Sequence, residues 1–170
     1  MFLDTDTFRT VVANTPLVSI DLLVSNHHGE ILLGQRLNRP AQGTWFVPGG
    51  RIYKNESLDQ AFARITESEL GTIFVRNSAR LLGIYEHFYH DSVFGQDSSA
   101  PSTHYVVLGH QVELKSGDSL TPPVGQHTLY RWWSPEDMAT SDQVHMNSKA
   151  YLDSYSSIRT LSTKRERAPC

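Results

Sequence analysis

Alternating apolar and polar positions mark the first strand. Over Leu17 to Val24, Val18, Ile20, Leu22 and Val24 point one way while Ser19 and Asp21 point the other. Before it, Asp4 to Asn14 reads as a short helix. Asp4 caps it, Phe8, Val11 and Val12 share one face, and Pro16 stops it. After it, Asn26-His27-His28-Gly29 reads as a hairpin turn that returns the chain through a second strand, Ile31 to Gln35. A loop from Asn38 to Gly43 leads to a brief strand, Thr44 to Val47, which runs into Pro48-Gly49-Gly50. The period then changes. Leu58, Ala61, Phe62 and Ile65 recur at helical spacing, Ser57 and Gln60 form a capping-box pair, and Gly71 closes the helix. Leu81 to Tyr89 and Tyr105 to Val112 are predicted strands, and the Asp-, Ser-, Gly- and Pro-rich loop between them is expected to be mobile. Thr128 to Trp133 is a short strand, and Ser134-Pro135-Glu136 starts a helix with proline at its first position. Asn147 to Leu161 reads as a final helix with Ala150, Tyr151, Tyr155 and Ile158 on one stripe.

This order predicts an α+β fold, a mixed β-sheet between helices in an α/β/α sandwich. The 170 residues fit one domain, expected over 1–162, with a polar, disordered tail over 163–170. There is no internal repeat and no low-complexity tract.

Composition narrows the partners. Hydrophobic residues make up 39% of the chain, an ordinary globular share. Fifteen basic residues against eighteen acidic ones give a net charge of -3, which argues against nucleic acid as a ligand. The single cysteine, Cys170, leaves no internal disulfide, and the start of the chain shows no basic region followed by an apolar run. No apolar stretch is long enough to span a bilayer. A cytoplasmic protein with no membrane partner is the expectation.

The candidate chemistry lies between Gly49 and Gly71. A Gly-Gly pair precedes Glu56, and the following helix carries Arg64 and ends with Glu67, Glu69 and Gly71. A carboxylate in the last turn opposes the helix dipole at a cost of up to about 1 kcal/mol. A bound cation offsets that cost. The alternative is a solvent-facing glutamate near a helix end.

The segment resembles the Nudix box, G-x5-E-x7-R-E-U-x-E-E-x-G-U, with U a bulky aliphatic. Gly50, Glu56, Arg64, Glu69 and Gly71 fall in register. Ile65 and Ser68 stand where the box has glutamates, and Thr66 and Thr72 where it has aliphatic residues. These departures, with Asn38 to Gly43, Trp45 to Arg51, His87-Phe88-Tyr89, Thr103 to Gly109 and Gln126-His127, are similar to the GDP-mannose mannosyl hydrolase branch of that family. The similarity runs from Met1 to about Leu161.

That resemblance implies a Nudix fold and Mg2+-dependent hydrolysis of GDP-mannose, and of GDP-glucose as a second substrate. Water attacks the anomeric carbon with inversion and GDP is released. It implies one magnesium ion, replaceable by Mn2+, held by the Gly49 carbonyl, the Glu69 carboxylate and the Gln126 amide oxygen, all hard donors. It implies His127 as general base, since imidazole titrates near working pH. Arg36 and Arg51 become candidate clamps on the diphosphate. Phe2, Leu3 and Phe8 map to nucleotide-contacting positions, Asp21 to orienting the sugar or Arg36, and His87 and Tyr105 to supporting the substrate. It also implies a homodimer. Read without the resemblance, Gly49 is a turn glycine, Gln126 a loop amide, Phe8 helix core, and Arg64 the partner of a nearby carboxylate. Two other functions stay open: a pyrophosphatase yielding a nucleoside monophosphate and a sugar 1-phosphate, and an inactive module that senses a sugar nucleotide.

Overall fold

The central strand decides the architecture. In the computed structural model, which describes residues 3–123 and 127–157, Leu17–Ser25 (β1) lies mid-sheet, buried along nearly its whole length. Ile31–Arg36 (β2), Trp45–Phe46 (β3), Gly49–Arg51 (β4), Arg80–Tyr89 (β5), Thr103–Glu113 (β6) and His127–Trp133 (β7) complete a seven-stranded mixed sheet. The main path runs β3-β2-β1-β6-β5, with β4 added to β1 and β7 to β2. β1 and β6 run parallel, which brings Asp21 opposite Gly109, and every other pairing is antiparallel. β4 continues the run that the pattern ended at Pro48.

Both faces of β1 are covered, so its alternation does not divide inside from outside. Ile20, Leu22 and Val24 join Phe62, Ile65 and Leu70 in one core, while Leu23 joins Trp45, Phe46, Tyr151 and Tyr155 in a second. Ser19 and Asp21 are therefore buried, and Val18, expected on the apolar face, is exposed.

Leu58–Leu70 (α2) covers the first core. Ser57 Oγ accepts from the Gln60 N–H, and Gln60 Oε1 accepts from the Ser57 N–H. Burying Phe62 and Ile65 contributes about 1.5–3 kcal/mol each. Thr5–Asn14 (α1) is capped by Asp4, and Pro135–Thr140 (α3) by Ser134, as the pattern predicts. The helix expected over 147–161 is interrupted. Met146–Lys149 (α4) ends in a turn at Ala150 and Tyr151, and helix resumes over 152–157. Tyr151 and Tyr155 are buried but Ala150 is exposed, because the turn rotates the second segment. Ile158 and the tail 163–170 lie outside the described residues. The loop after β5 is held at several points. Ser92 and Gly95 exchange two backbone bonds, Thr103 Oγ1 donates to the Asp91 carbonyl at 2.8 Å, and Phe94 packs on Phe8. Among the described residues no helix is long and apolar enough to cross a membrane.

Gly71 ends α2 in the left-handed region, at φ 70°, and a Cβ there would collide with the Thr121 carbonyl oxygen. Gly71→Ala is expected to destabilise the fold by at least about 1 kcal/mol, read by urea unfolding.

Candidate active site

A cavity of about 670 Å³ opens over β1, β2 and β4 and reaches the end of α2. Its inner wall depends on two close approaches. β4 pairs with β1 so that Gly49 faces Asp21, and a Cβ on Gly49 would fall 2.6 Å from Asp21 Oδ1 and 2.7 Å from the Ile20 carbonyl oxygen. A Cβ on Gly50 would press on Ile65 at 3.2 Å. Glycines let the backbone lie against a carboxylate on one side and the α2 core on the other.

Glu69 is buried at this wall, next to Arg36 and Asp21, and the Gly49 backbone favours its anion. Burial, opposed by Arg36, pushes its pKa up to about 7, and Asp21 adds to the rise. Its Oε2 has no hydrogen-bond partner among the described residues. Ile65 is fully buried in the core and Ser68 lines the cavity, so neither box departure leaves a carboxylate there. Glu56 and Arg64 form a bidentate pair at 2.6 and 2.8 Å, and Glu56 accepts the Tyr53 N–H. Arg64, which lines the cavity, is thus the partner of a loop carboxylate.

Asp21, also lining the cavity, accepts a 2.7 Å hydrogen bond from Tyr151 Oη, which lies 3.4 Å from His87 Nε2. Tyr151 reaches it over Gly109, where a Cβ would come within 2.8 Å of the ring. Burial pushes the Asp21 carboxyl up to about 7 against the Tyr151 bond and Arg36, and burial pushes His87 down to about 4.

Arg36 is the central charge. Its Nε donates to the Pro40 carbonyl at 2.8 Å and its guanidinium lies 5.5 Å from the Phe46 ring centre. Arg51 stacks at 4.2 Å on Phe8, and Arg39 pairs with Asp91 at 2.9 Å. All three arginines line the cavity, as do His87, Tyr89 and Tyr105. Burial raises the Tyr105 phenol pKa.

His127 pairs across the sheet with Arg36 but does not line the cavity. Its buried ring lies behind Glu69, with Nδ1 3.8 Å from Glu69 Oε2 and 3.1 Å from Tyr130 Oη. Burial, reinforced by Arg36, pushes it down to about 4, so the ring is neutral near pH 7 and the contact with Glu69 is no ion pair. Leu3 is half exposed, and neither Leu3 nor Phe8 lines the cavity. Phe8 packs on Phe94 and under Arg51, so it is a link between helix and loop. Phe2 and Gln126 lie outside the described residues.

The sequence reading did not single out Arg39, Phe46, Tyr89, Tyr130 or Tyr151 for the site. Arg39, Phe46 and Tyr89 all lie in segments that carry the family resemblance, and the fixed charge of Arg39 was a usable signal. The tyrosines looked like ordinary strand and helix packing.

The wall suits a hard cation in two respects: a buried carboxylate oxygen without a partner, and a backbone that glycine brings against it. Among the described residues no three His, Cys, Asp or Glu side chains converge as a metal cluster. A cation here would therefore draw on backbone or amide oxygens as well as Glu69.

The family model of the NUDIX domain matches residues 15–155. The "Low-salt glycan biosynthesis protein Agl8" of Haloferax volcanii is 40% identical over 149 residues, covering 87% of each chain. A MutT NUDIX hydrolase from Burkholderia pseudomallei superposes with a TM-score of 0.65 at 24% identity, covering 83% of this chain and 98% of that one. The NUDIX domain of Shewanella oneidensis NrtR, solved with ADP ribose, gives 0.62 at 18% identity, covering 92% and 94%. The two structural likenesses are of fold.

Asp21 holds its proton more tightly in the folded chain than near its ordinary value of 3.8, so the stability it allows falls as pH rises toward about 7. Asp21→Asn does not titrate. In urea unfolding with a chelator, its stability relative to the natural chain is expected to rise from about pH 5 to pH 7, on the order of 1 kcal/mol per unit, and to level off above.

Proposed function

The chain belongs to the Nudix family, and from that premise we propose that it hydrolyses a nucleoside diphosphate sugar at the anomeric carbon, with GDP-mannose as substrate and GDP-glucose as the second choice. The observation that carries this reading is the reduced box: Glu69 is its one carboxylate on the inner cavity wall, beside Ile65 in the core and Ser68 at the wall. Nudix hydrolases generally use a divalent metal such as Mg2+. A single carboxylate is a poor framework for several ions, and it suits one. The 40% identical relative carries a glycan biosynthesis name, which agrees with a sugar nucleotide.

Attack at carbon suits this residue set. The transition state there is oxocarbenium-like and the departing GDP is a stable anion, so the leaving group needs charge neutralisation more than a proton. Arg36 and Arg51 supply positive charge at the diphosphate, with Arg39 on the same wall. Gly49, Glu69 and Gln126 would hold the ion. When bound, it supplies Lewis acidity toward the diphosphate oxygens. Asp21, held by Tyr151, and His87 orient the sugar. His127 is the proposed base for the attacking water. It is a weak base, and a dissociative displacement asks little of one, because water bonds late to an electron-poor carbon. One base and no covalent nucleophile imply inversion. The reading includes a homodimer, with the N-terminal segment contributing across the interface. Exposed Ile84 and Phe88 on β5 offer apolar surface for it.

Hydrolysis in 18O water with magnesium is expected to label the free sugar, and early NMR spectra to show the inverted anomer. Label in phosphate would instead establish pyrophosphatase cleavage. His127→Gln is expected to lower turnover more than about tenfold with GDP binding nearly unchanged, and equal turnover would remove the base. Glu69→Gln is expected to weaken magnesium binding in a metal titration, whatever the substrate.

A further inference from the structure

Tyr130, Glu69 and Gly34 surround the His127 ring, and Tyr130 selects one proton position. Tyr130 Oη donates to the Glu69 backbone carbonyl at 3.4 Å. A phenol has one proton, so toward His127 Nδ1, at 3.1 Å, the same oxygen acts as acceptor. Glu69 Oε2 lies farther from Nδ1, at 3.8 Å. The Tyr130 oxygen therefore calls for a proton on Nδ1. The other nitrogen, Nε2, is buried and has no partner among the described residues. Gly34 fixes the ring plane from the opposite strand. It pairs with Tyr130, and a Cβ on it would collide with His127 Cγ and Cδ2.

We propose that Tyr130 is a positioning residue that locks neutral His127 in the Nδ1–H tautomer, so that Nε2 is the nitrogen that receives the proton. The tautomer of a histidine follows the bond its other nitrogen makes. The catalytic consequence rests on His127 being the base, but the proton position does not. Tyr130 does not line the active-site cavity and acts through the ring. Its hydroxyl also ties that ring to the last turn of α2, the same turn that carries Glu69.

The test is the ring nitrogen spectrum of His127 in the full chain, 15N-labelled at histidine, with magnesium at about pH 7.5. Long-range proton–nitrogen correlations are expected to show a protonated Nδ1 and an unprotonated Nε2, the reverse of free histidine's preference in water. Tyr130→Phe is expected to shift the ring toward the Nε2–H form and to lower turnover about tenfold while changing KM less than twofold. A natural chain with its proton on Nε2 would overturn the proposal without any variant. A folded Tyr130→Phe chain that keeps a pure Nδ1–H ring would also overturn it. If the tautomer behaves as stated and GDP-mannose is not hydrolysed, the positioning role stands and the substrate reading fails.

Discussion

A carboxylate buried at the negative end of a helix is the constraint around which this site is arranged. Glu69 sits in the last turn of α2, where the backbone already carries partial negative charge, and burial removes the water that would stabilise it. Its neighbours reduce that cost only in part. The Gly49 N–H and Arg36 favour the anion, Asp21 opposes it, and one oxygen keeps no partner among the described residues. α2 cannot turn this residue away, because Phe62, Ile65 and Leu70 are committed to the core. Such a group is left with unsatisfied acceptor capacity, which the proposed cation would take up.

The surrounding charges follow from the same burial. Asp21 and Glu69 share one wall, and Arg36 acts on both as well as on His127. Two carboxyls with raised proton affinity stand beside two histidines with lowered affinity, His87 and His127. Near pH 7 the histidines are neutral and the carboxyls are near balance. The wall is therefore sensitive to any positive charge placed against it, and neutral imidazole is the form that can receive a proton.

The cavity is built from several distant segments. Arg36 and Arg39 flank the end of β2, Arg51 ends β4, and Tyr89 ends β5. The Arg39–Asp91 pair and the Phe8–Phe94 contact fasten the loop after β5 to the same rim. Such a rim presents polar groups from more than one side, as the proposed nucleotide sugar would require.

The sequence by itself determined what is local. The capping box of α2, the Gly71 stop and most strand bounds are visible because their cause lies within a few residues: periodic burial, a cap, a turn. The box also displayed its own departures at Ile65 and Ser68. It did not show that Ser19 and Asp21 would be buried, since alternation describes one strand and not what covers it. It missed β4, whose pairing depends on glycines meeting another strand, and it ran the last helix through the turn at Ala150. Tertiary structure alone decided that Tyr151, 130 residues from Asp21, would hold that carboxylate, and that Tyr130 would stand between His127 and Glu69. Such contacts follow from strand register and from which layer closes over which face, and no short-range pattern in a chain records either.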